Sequence, residues 1–508
     1  MRIINFGITQ IIKFVDDFLN SITMYRLLLY YLIFLLVVAF IYSIFHQLPF
    51  SPVSLVFSST FLIVVSFVGN KIFEKIFNVQ TNVESLYITA LILALIITPI
   101  KVFNISNIGF LFWAALLAMA SKYILAINKK HVFNPAAIAV TITGMTIGGY
   151  ASWWVGTLVM LPFVLLGVLI IRKIRRFDLV FYFFLTAFST SLIFSFAKGS
   201  SDIVGILVRT VKDTPILFFA FIMLSEPLTT PATKTLQSIY GALTGILFAP
   251  QFHIGGFFTT PEIALTIANV FSYAVSPKYK LILSLKEKIK LTDSIYDFVF
   301  STSEKFNFIA GQYMEWTLGH KHSDDRGNRR YFTFASSPTE SEVRIGVKFE
   351  KDRSSSYKTE MLSMKKGDKI VASQLAGDFT LVSDVNKKLV FIAGGIGVTP
   401  FRSIIKYLID KNEKRDIILI YNERTKENMV YKDVFKEAER KLGIKTIYFE
   451  TEKSGHMTSE TVKKEIPDFK ERIFYLSGSN GMVKGFEDLL SEAGLPKDHV
   501  RVDYFPGY

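Results

Sequence analysis

The stretches Arg330-Tyr331-Phe332-Thr333-Phe334-Ala335-Ser336-Ser337-Pro338 and Gly394-Gly395-Ile396-Gly397-Val398-Thr399-Pro400 decide how this chain is read. The first is short, aromatic and strand-prone, with an arginine at its head and hydroxyls along it. The second follows the apolar run Leu389–Ala393 and precedes a helix-patterned segment, so it reads as a glycine turn between strand and helix. Glycines there let the backbone approach a phosphate, and Thr399 is placed to cap a helix beginning at Pro400.

The same two patterns extend outward. Between residues 280 and 385, the runs 281–291, 296–303, 312–318, 330–338, 342–350 and 368–375 alternate or cluster apolar residues, with Gly or Asp at the breaks. Several short antiparallel strands predict a β-barrel. From residue 387 the pattern changes to strand 387–394, helix 398–411, strand 416–422, helix 431–443, strand 445–450, strand 472–478 and helix 482–494. Alternation of this kind predicts a parallel sheet with a nucleotide crevice at the carboxyl ends of its strands.

A barrel followed by an α/β domain, with these motifs in this order, resembles the ferredoxin–NADP reductase superfamily over residues 280–508. The resemblance implies FAD on the barrel. Arg330 would hold the flavin pyrophosphate, Phe332 would lie on the isoalloxazine, and Thr333 would hydrogen-bond near its N5. An arginine fork suits a phosphate and a hydroxyl suits a ring nitrogen. Ser355 and Ser356, in Ser355-Ser356-Tyr357-Lys358, would offer amides and hydroxyls to the same pyrophosphate. NADH or NADPH would bind at Gly394, Gly395, Gly397 and Thr399, with Gly478 and Met482 of Gly478-Ser479-Asn480-Gly481-Met482 beside the nicotinamide. The family has a cysteine at the position of Ser477 or Gly478, and this chain has none. A C-terminal aromatic that covers the flavin is another family habit, which here falls to Tyr508. Thr333 and Tyr508 are therefore the expected catalytic residues. Arg424 stands where a 2′-phosphate would lie, whereas its neighbour Glu423 would repel that phosphate and suits ribose hydroxyls, which tilts the reading to NADH.

Upstream, the composition is of another kind. The chain has 508 residues, 50% of them hydrophobic, with 48 Phe. Residues 27–45 form a nearly uncharged run long enough to cross about 30 Å of hydrocarbon. Comparable runs near 53–69, 83–100, 109–127, 134–150, 153–171, 178–197, 203–225, 236–251 and 259–275 predict about ten spans, the one at 203–225 being interrupted by Arg209, Lys212 and Asp213. The expected organisation is a multi-spanning helical membrane domain over 1–277, a FAD-binding β-barrel over 278–385 and an α/β NAD(P)-binding domain over 386–508. At the N-terminus Ile4, Ile8, Ile11, Ile12, Val15, Phe18 and Leu19 recur at helical spacing, as in an amphipathic helix lying on the membrane or against the bundle. Lys71, Lys75, Lys129, Lys130, Arg172, Lys173, Arg175 and Arg176 fall on the side of both termini, and only Lys101, Lys198, Arg209 and Lys212 on the other. The positive-inside rule then puts the reductase in the cytoplasm. The net charge of +14 is met by basic membrane-adjacent loops and needs no nucleic-acid partner. With no cysteine, thiolate-held iron–sulfur clusters and disulfides are excluded, and no metal site is expected.

The membrane region holds only His46, His131 and His253, none paired within a helix, and haem is accordingly excluded as a partner. Glu84–Leu95, Phe133-Asn134-Pro135-Ala136-Ala137, Ser225-Glu226-Pro227-Leu228-Thr229-Thr230-Pro231 and Ile239-Tyr240-Gly241-Ala242-Leu243 resemble the flavin-carrying membrane subunits of Rnf and of Na⁺-translocating NADH:quinone reductases, over residues 80–275. That resemblance implies ten spans in two repeated halves with broken helices, and Asn134-Pro135 and Glu226-Pro227 are natural breaks. Glu226 beside such a break marks a candidate site. The relatives carry FMN esterified to a threonine in a stretch this chain lacks, so Thr146 and Thr157 are candidates by position alone, for FMN held covalently or not. The expected function is electron transfer from cytoplasmic NAD(P)H through FAD to a flavin in the bilayer, and on to a quinone or an outward-side acceptor. Two rival readings are a transporter-like membrane domain regulated by a nicotinamide-sensing reductase, and a reductase merely anchored by its spans.

Overall fold

The computed structural model describes residues 12, 14–77, 83–102, 105–127, 130–250, 252–255, 257–276, 279–302, 306–320, 324, 326–350 and 354–505. The chain divides into two compact units, Met1–Lys278 and Tyr279–Tyr508.

In the first unit, uninterrupted apolar sequence gives long helices. Among the described residues, four are long and apolar enough to cross a membrane: Met24–Ile44, Pro52–Phe77, Asn107–Ile124 and Phe177–Ala197. The remaining described apolar runs are shorter or broken, so the ten expected spans do not all appear as full-length helices among the described residues. Val83–Ile96, Pro135–Ile147 and Pro261–Val275 have 14, 13 and 15 residues. At 1.5 Å per residue such helices fall short of about 30 Å of hydrocarbon. The breaks have local causes. Asn134 caps the helix that starts at Pro135, accepting from the Ala137 N–H at 3.0 Å, and Gly148 ends it at φ +67°. The run at 203–225 splits into a capped helix Ile203–Lys212 and a separate turn of helix after Pro215, because a charged pair and a proline stand between them. Each half carries the same sequence of elements: a two-stranded hairpin (Ala126–Ile127 with Lys130–His131; His253–Ile254 with Phe257–Phe258), then a proline-started short helix. At the N-terminal end, residues 14–21 are helical, Leu19 is buried, and Asp16 makes a two-pronged ion pair with Arg172 (2.7 and 2.9 Å).

In the second unit β1 (Lys280–Lys290), β2 (Ile295–Ser301), β3 (Tyr313–Thr317), β4 (Arg329–Thr333), β5 (Val343–Lys348) and β6 (Lys369–Ala376) form one antiparallel sheet in the order β4-β3-β6-β1-β2-β5. The predicted barrel is a curled sheet whose ends meet just beyond β4, where the Ala335 N–H donates to the Arg344 carbonyl at 2.8 Å. Trp316, Phe298, Phe300, Phe334 and Tyr357 fill its interior. Next come β7 (Leu389–Gly394), β8 (Ile417–Glu423), β9 (Lys445–Glu450) and β10 (Ile473–Ser479), all parallel, with α2 (Thr399–Lys411), α3 (Lys432–Leu442) and α5 (Asn480–Glu492) between or after them. Among the elements that escaped the sequence reading are helix α4 (Ser459–Glu465) and a fifth parallel strand, β11 (Val500–Phe505), on the edge beside β10. The order is β9-β8-β7-β10-β11, with the reversal of direction at β7, where the glycine turn emerges.

The curled sheet and the parallel sheet share one core: Ile295, Ala310, Ala335 and Phe379 pack with Phe391, Phe401 and Tyr475. Through it runs a buried polar seam. Arg402 on α2 donates to the Ala335 carbonyl (2.8 Å) and pairs with Glu340 through both terminal nitrogens. The Tyr431 hydroxyl donates to Asp297 (3.0 Å), which also pairs with Arg344 (3.3 Å). Burial pushes the Asp297 carboxyl up, against the pull of Arg344 and Arg402. Removing one member of such a buried pair costs on the order of 3–5 kcal/mol because the partner stays buried. Arg402→Ala should therefore lower the melting temperature of the second unit by several degrees. The melting of the first unit should stay where it was, and differential scanning calorimetry of the purified chain resolves the two.

Candidate functional site

Arg330, Phe332 and Thr333 all stand on β4. Arg330 is buried, its guanidinium 5.0 Å over the Tyr357 ring, with Nη1 donating to the carbonyls of Arg326 (2.8 Å), Gly327 (3.3 Å) and Arg329 (2.6 Å). Phe332 is half-buried with its ring centroid 6.2 Å from that of Tyr357. The next element, α1 (Ser356–Ser363), begins as expected: Ser355 is its cap and accepts from the Lys358 N–H at 3.3 Å. Ser356 is already engaged. Its N–H donates to the Asp324 carboxylate (2.9 Å), and its hydroxyl meets the Asp324 N–H (2.9 Å) and a His320 ring nitrogen (2.9 Å). Partial burial would raise the Asp324 carboxyl, but hydrogen bonds from Ser356 and Arg326 hold it below the ordinary range. An anion thus sits on the start of α1, the end of a helix where negative charge is favoured.

The glycine turn lies at the carboxyl end of β7. Gly395 has φ +56°, where an L-residue would be strained. Gly397 runs against the end of β10: a Cβ there would come 2.4 Å from the Ser477 carbonyl and 2.6 Å from Gly478 Cα. A Cβ on Gly394 or Gly478 would meet the Met482 sulfur, at 1.9 and 2.5 Å. Gly394, Gly397, Gly478 and Met482 are thus brought together, as expected. Thr399 is not a cap. It occupies the first turn of α2, and its hydroxyl donates back to the Ile396 carbonyl (3.2 Å), because the chain enters the helix through a 3₁₀ turn over Gly395–Val398. Arg424 is exposed and bonded to Glu452 at 3.3 Å.

The two halves meet at Thr333. Its hydroxyl donates to Asp503 at 3.4 Å, and Asp503 on β11 is in register with Ser477 on β10. Asp503 escaped the sequence reading because β11 did: the run Val500–Phe505 is only six residues long, and the alternation of Val500, Arg501, Val502 and Asp503 is too short to mark a strand apart from its neighbour β10. Tyr508 lies outside the described residues.

In the first unit Glu226 accepts from Asn134 Nδ2 (2.8 Å) and from the Thr229 hydroxyl (3.3 Å). The Asn134 N–H donates to Asn269 (2.8 Å), which in turn donates to the Tyr240 hydroxyl (2.9 Å). The two predicted breaks therefore bond to each other. Ser85, Thr89, Tyr25 and Ile222 line a small cavity beside Glu226 and Asn134. Thr157 has a buried hydroxyl without a hydrogen bond, whereas Thr146 is exposed and its hydroxyl donates to the Ile142 carbonyl (2.7 Å).

Residues 391–488 match the family profile described as "Oxidoreductase NAD-binding domain". Flavohemoprotein A of Dictyostelium discoideum is 23% identical over 231 residues, 43% of this chain and 58% of the relative. The flavohemoprotein of Bacillus subtilis is 28% identical over 210 residues, 39% of this chain and 51% of the relative. The alignments thus take in little more than half the length of these relatives. Among solved structures, a flavohemoglobin from Malassezia yamatoensis with bound FAD and heme aligns over 60% of this chain and 72% of its own (20% identity, TM-score 0.42). A ferredoxin–NADP⁺ reductase from Plasmodium falciparum aligns over 45% of this chain and 97% of its own (18% identity, TM-score 0.39). The second unit carries the fold and the nucleotide turn of NAD(P)H-dependent flavin oxidoreductases. One expectation is overturned: haem was excluded as a partner, yet the relatives of this chain are flavohemoproteins. The small number of histidines in the apolar region bears only on haem ligation there, and not on haem held elsewhere.

Gly397→Ala tests the turn. The added methyl meets backbone on both sides, so the turn must move off β10, a displacement costing about 1–3 kcal/mol. NAD(P)H oxidation should fall at least tenfold, with flavin content unchanged.

Proposed function

We propose that this chain is a membrane-bound reductase in three parts (1–277, 278–385 and 386–508) that takes hydride from NAD(P)H onto FAD and delivers electrons to an acceptor in or across the bilayer. The observation that carries the reading is the hydrogen bond between Thr333 and Asp503. It joins the strand that would bear the flavin to the strand ends that would bear the nicotinamide. Bound FAD would supply the step from two-electron hydride transfer to one-electron delivery. The chain's own residues bind and orient. Arg330, Ser355 and Ser356 would hold the pyrophosphate at the start of α1, a position that already accepts a carboxylate. Gly394, Gly395 and Gly397 would admit the nucleotide phosphates. Met482 and Gly478 would shape the nicotinamide pocket, and Tyr508 would cover the flavin. Thr333 would orient the ring edge while Asp503 holds its hydroxyl.

For the membrane unit, the mutual bonding of Asn134 and Glu226 supports a site at broken helices. The repeated hairpin–proline–helix units support two related halves whose short helices complete about ten crossings between them. Loop charge supports a cytoplasmic reductase. Thr157, with its buried and unengaged hydroxyl, suits attachment of a second flavin, FMN, better than Thr146.

Arg330→Ala removes charged hydrogen bonds, each contributing about 1.5–3 kcal/mol. The purified variant should lose FAD and NAD(P)H oxidation together, and full FAD occupancy would sink the assignment. On a denaturing gel under ultraviolet light, covalent FMN should fluoresce in the wild type and in Thr146→Ala but not in Thr157→Ala. A dark wild-type band removes the covalent assignment.

A further inference from the structure

Ser356 and Arg330, the residues read as holding the flavin pyrophosphate, are both engaged by one turn of the chain. Asp324 Oδ2 accepts from the Ser356 N–H at 2.9 Å, and the Asp324 N–H donates to the Ser356 hydroxyl at 2.9 Å. Arg330 Nη1 donates to the carbonyls of Arg326 (2.8 Å) and Gly327 (3.3 Å). The turn is also bonded to itself. Arg326 donates to the Asp324 carboxylate from its N–H (3.0 Å), from Nε (3.1 Å) and from Nη2 (2.8 Å). The Gly327 N–H donates to the Asp324 carbonyl at 2.9 Å, and Gly327 has φ +67°, which glycine adopts without strain. The base of the turn is fixed where the Leu318 N–H donates to the Asn328 carbonyl at 3.0 Å. Asp324 can therefore leave the start of α1 with its Arg326 partner still attached. What it gives up is the bonding to Ser356, with that of Arg330 to the same turn.

We infer that Asp324 competes with the flavin pyrophosphate for the start of α1, so that FAD binds by exchange with a strap built into the chain. The Ser356 N–H serves one anion well, and a carboxylate and a phosphate in the same place repel each other. Molecules with the strap in place do not accept the pyrophosphate, which lowers the apparent affinity by the fraction so engaged. The inference rests on the reading of Arg330 and Ser356 as pyrophosphate ligands. The competing view is that Asp324 only caps α1 through the Ser356 N–H, in which case its loss weakens the helix and FAD binding with it.

The test measures how tightly the full-length protein holds FAD. Purified holoprotein is diluted in steps, released FAD is identified and quantified by chromatography, and Kd follows from the fraction released. Asp324→Asn keeps the shape of the side chain without its charge, and Asp324→Ala removes the carboxylate altogether. Each should hold FAD about tenfold more tightly than the wild type. Added FAD should also raise the melting temperature of the second unit further in these variants than in the wild type. Asp293→Asn removes an exposed carboxylate on the turn between β1 and β2 and controls for net charge, so its Kd should match the wild type. Unchanged or weaker FAD binding in either folded Asp324 variant, or an equal gain in Asp293→Asn, overturns the inference and leaves the pyrophosphate assignment standing. Full FAD retention in Arg330→Ala, or a wild type that binds no FAD, overturns both.

Discussion

The buried seam between the curled sheet and the parallel sheet is the constraint on which the second unit depends. Arg402 reaches from α2 to Glu340 and to the Ala335 carbonyl, and Tyr431 reaches to Asp297. α2 is the helix that follows the glycine turn, and Ala335 follows Thr333 by two residues. One set of contacts therefore holds both the glycine turn and strand β4, and two sheets joined in this way are not free to rock. Apolar packing alone would bring the sheets together, while directional bonds to a carboxylate and a carbonyl fix their angle. Stacking of Phe391 on Phe401 and the edge contact of Phe379 with Tyr475 fill the space beneath.

The first unit meets a different constraint. A buried backbone polar group must find a partner, so a broken helix inside a packed apolar bundle is tolerable only where something satisfies its ends. Asn134 does this for the helix at Pro135, capping it and at the same time donating to Glu226 at the other break. Trp154 does it for the end of the helix Val83–Ile96, its indole N–H donating to the carbonyls of Ala94 and Ile97 at 3.0 Å each. The cost of the breaks is thus offset by bonds between the two halves.

Within the site, the division of labour follows the strand ends. β7 and β10 bring glycines against each other because only a residue without Cβ fits between Ser477 and the turn. β11 adds the carboxylate of Asp503 beside them, and β8 adds that of Glu423. The parallel sheet thus offers one acid toward Thr333 and another beside the glycine turn.

Most strands and helices of the second unit were legible in the sequence because each carries its own period: alternation in Val343–Lys348, and the helical apolar face of Thr399–Lys411. The glycine turn was legible because its residue types are a local requirement of backbone geometry. The long helices of the first unit were legible from composition alone. The rest depended on residues distant in the chain. β11 is a strand only because β10 lies beside it. Thr399 turns its hydroxyl back on Ile396 instead of capping because the 3₁₀ entry is set by contact with β10. The number of long apolar helices depended on whether prolines, glycines and acids were used as breaks, which the apolar average of a window conceals. The seam, the meeting of Thr333 with Asp503 and the bond from Asn134 to Glu226 join residues 47 to 170 positions apart. Sequence by itself determined the elements and the residue types at their ends, whereas only the tertiary structure decided which ends meet, because pairings at that separation are selected by packing and mutual satisfaction and leave no local period behind.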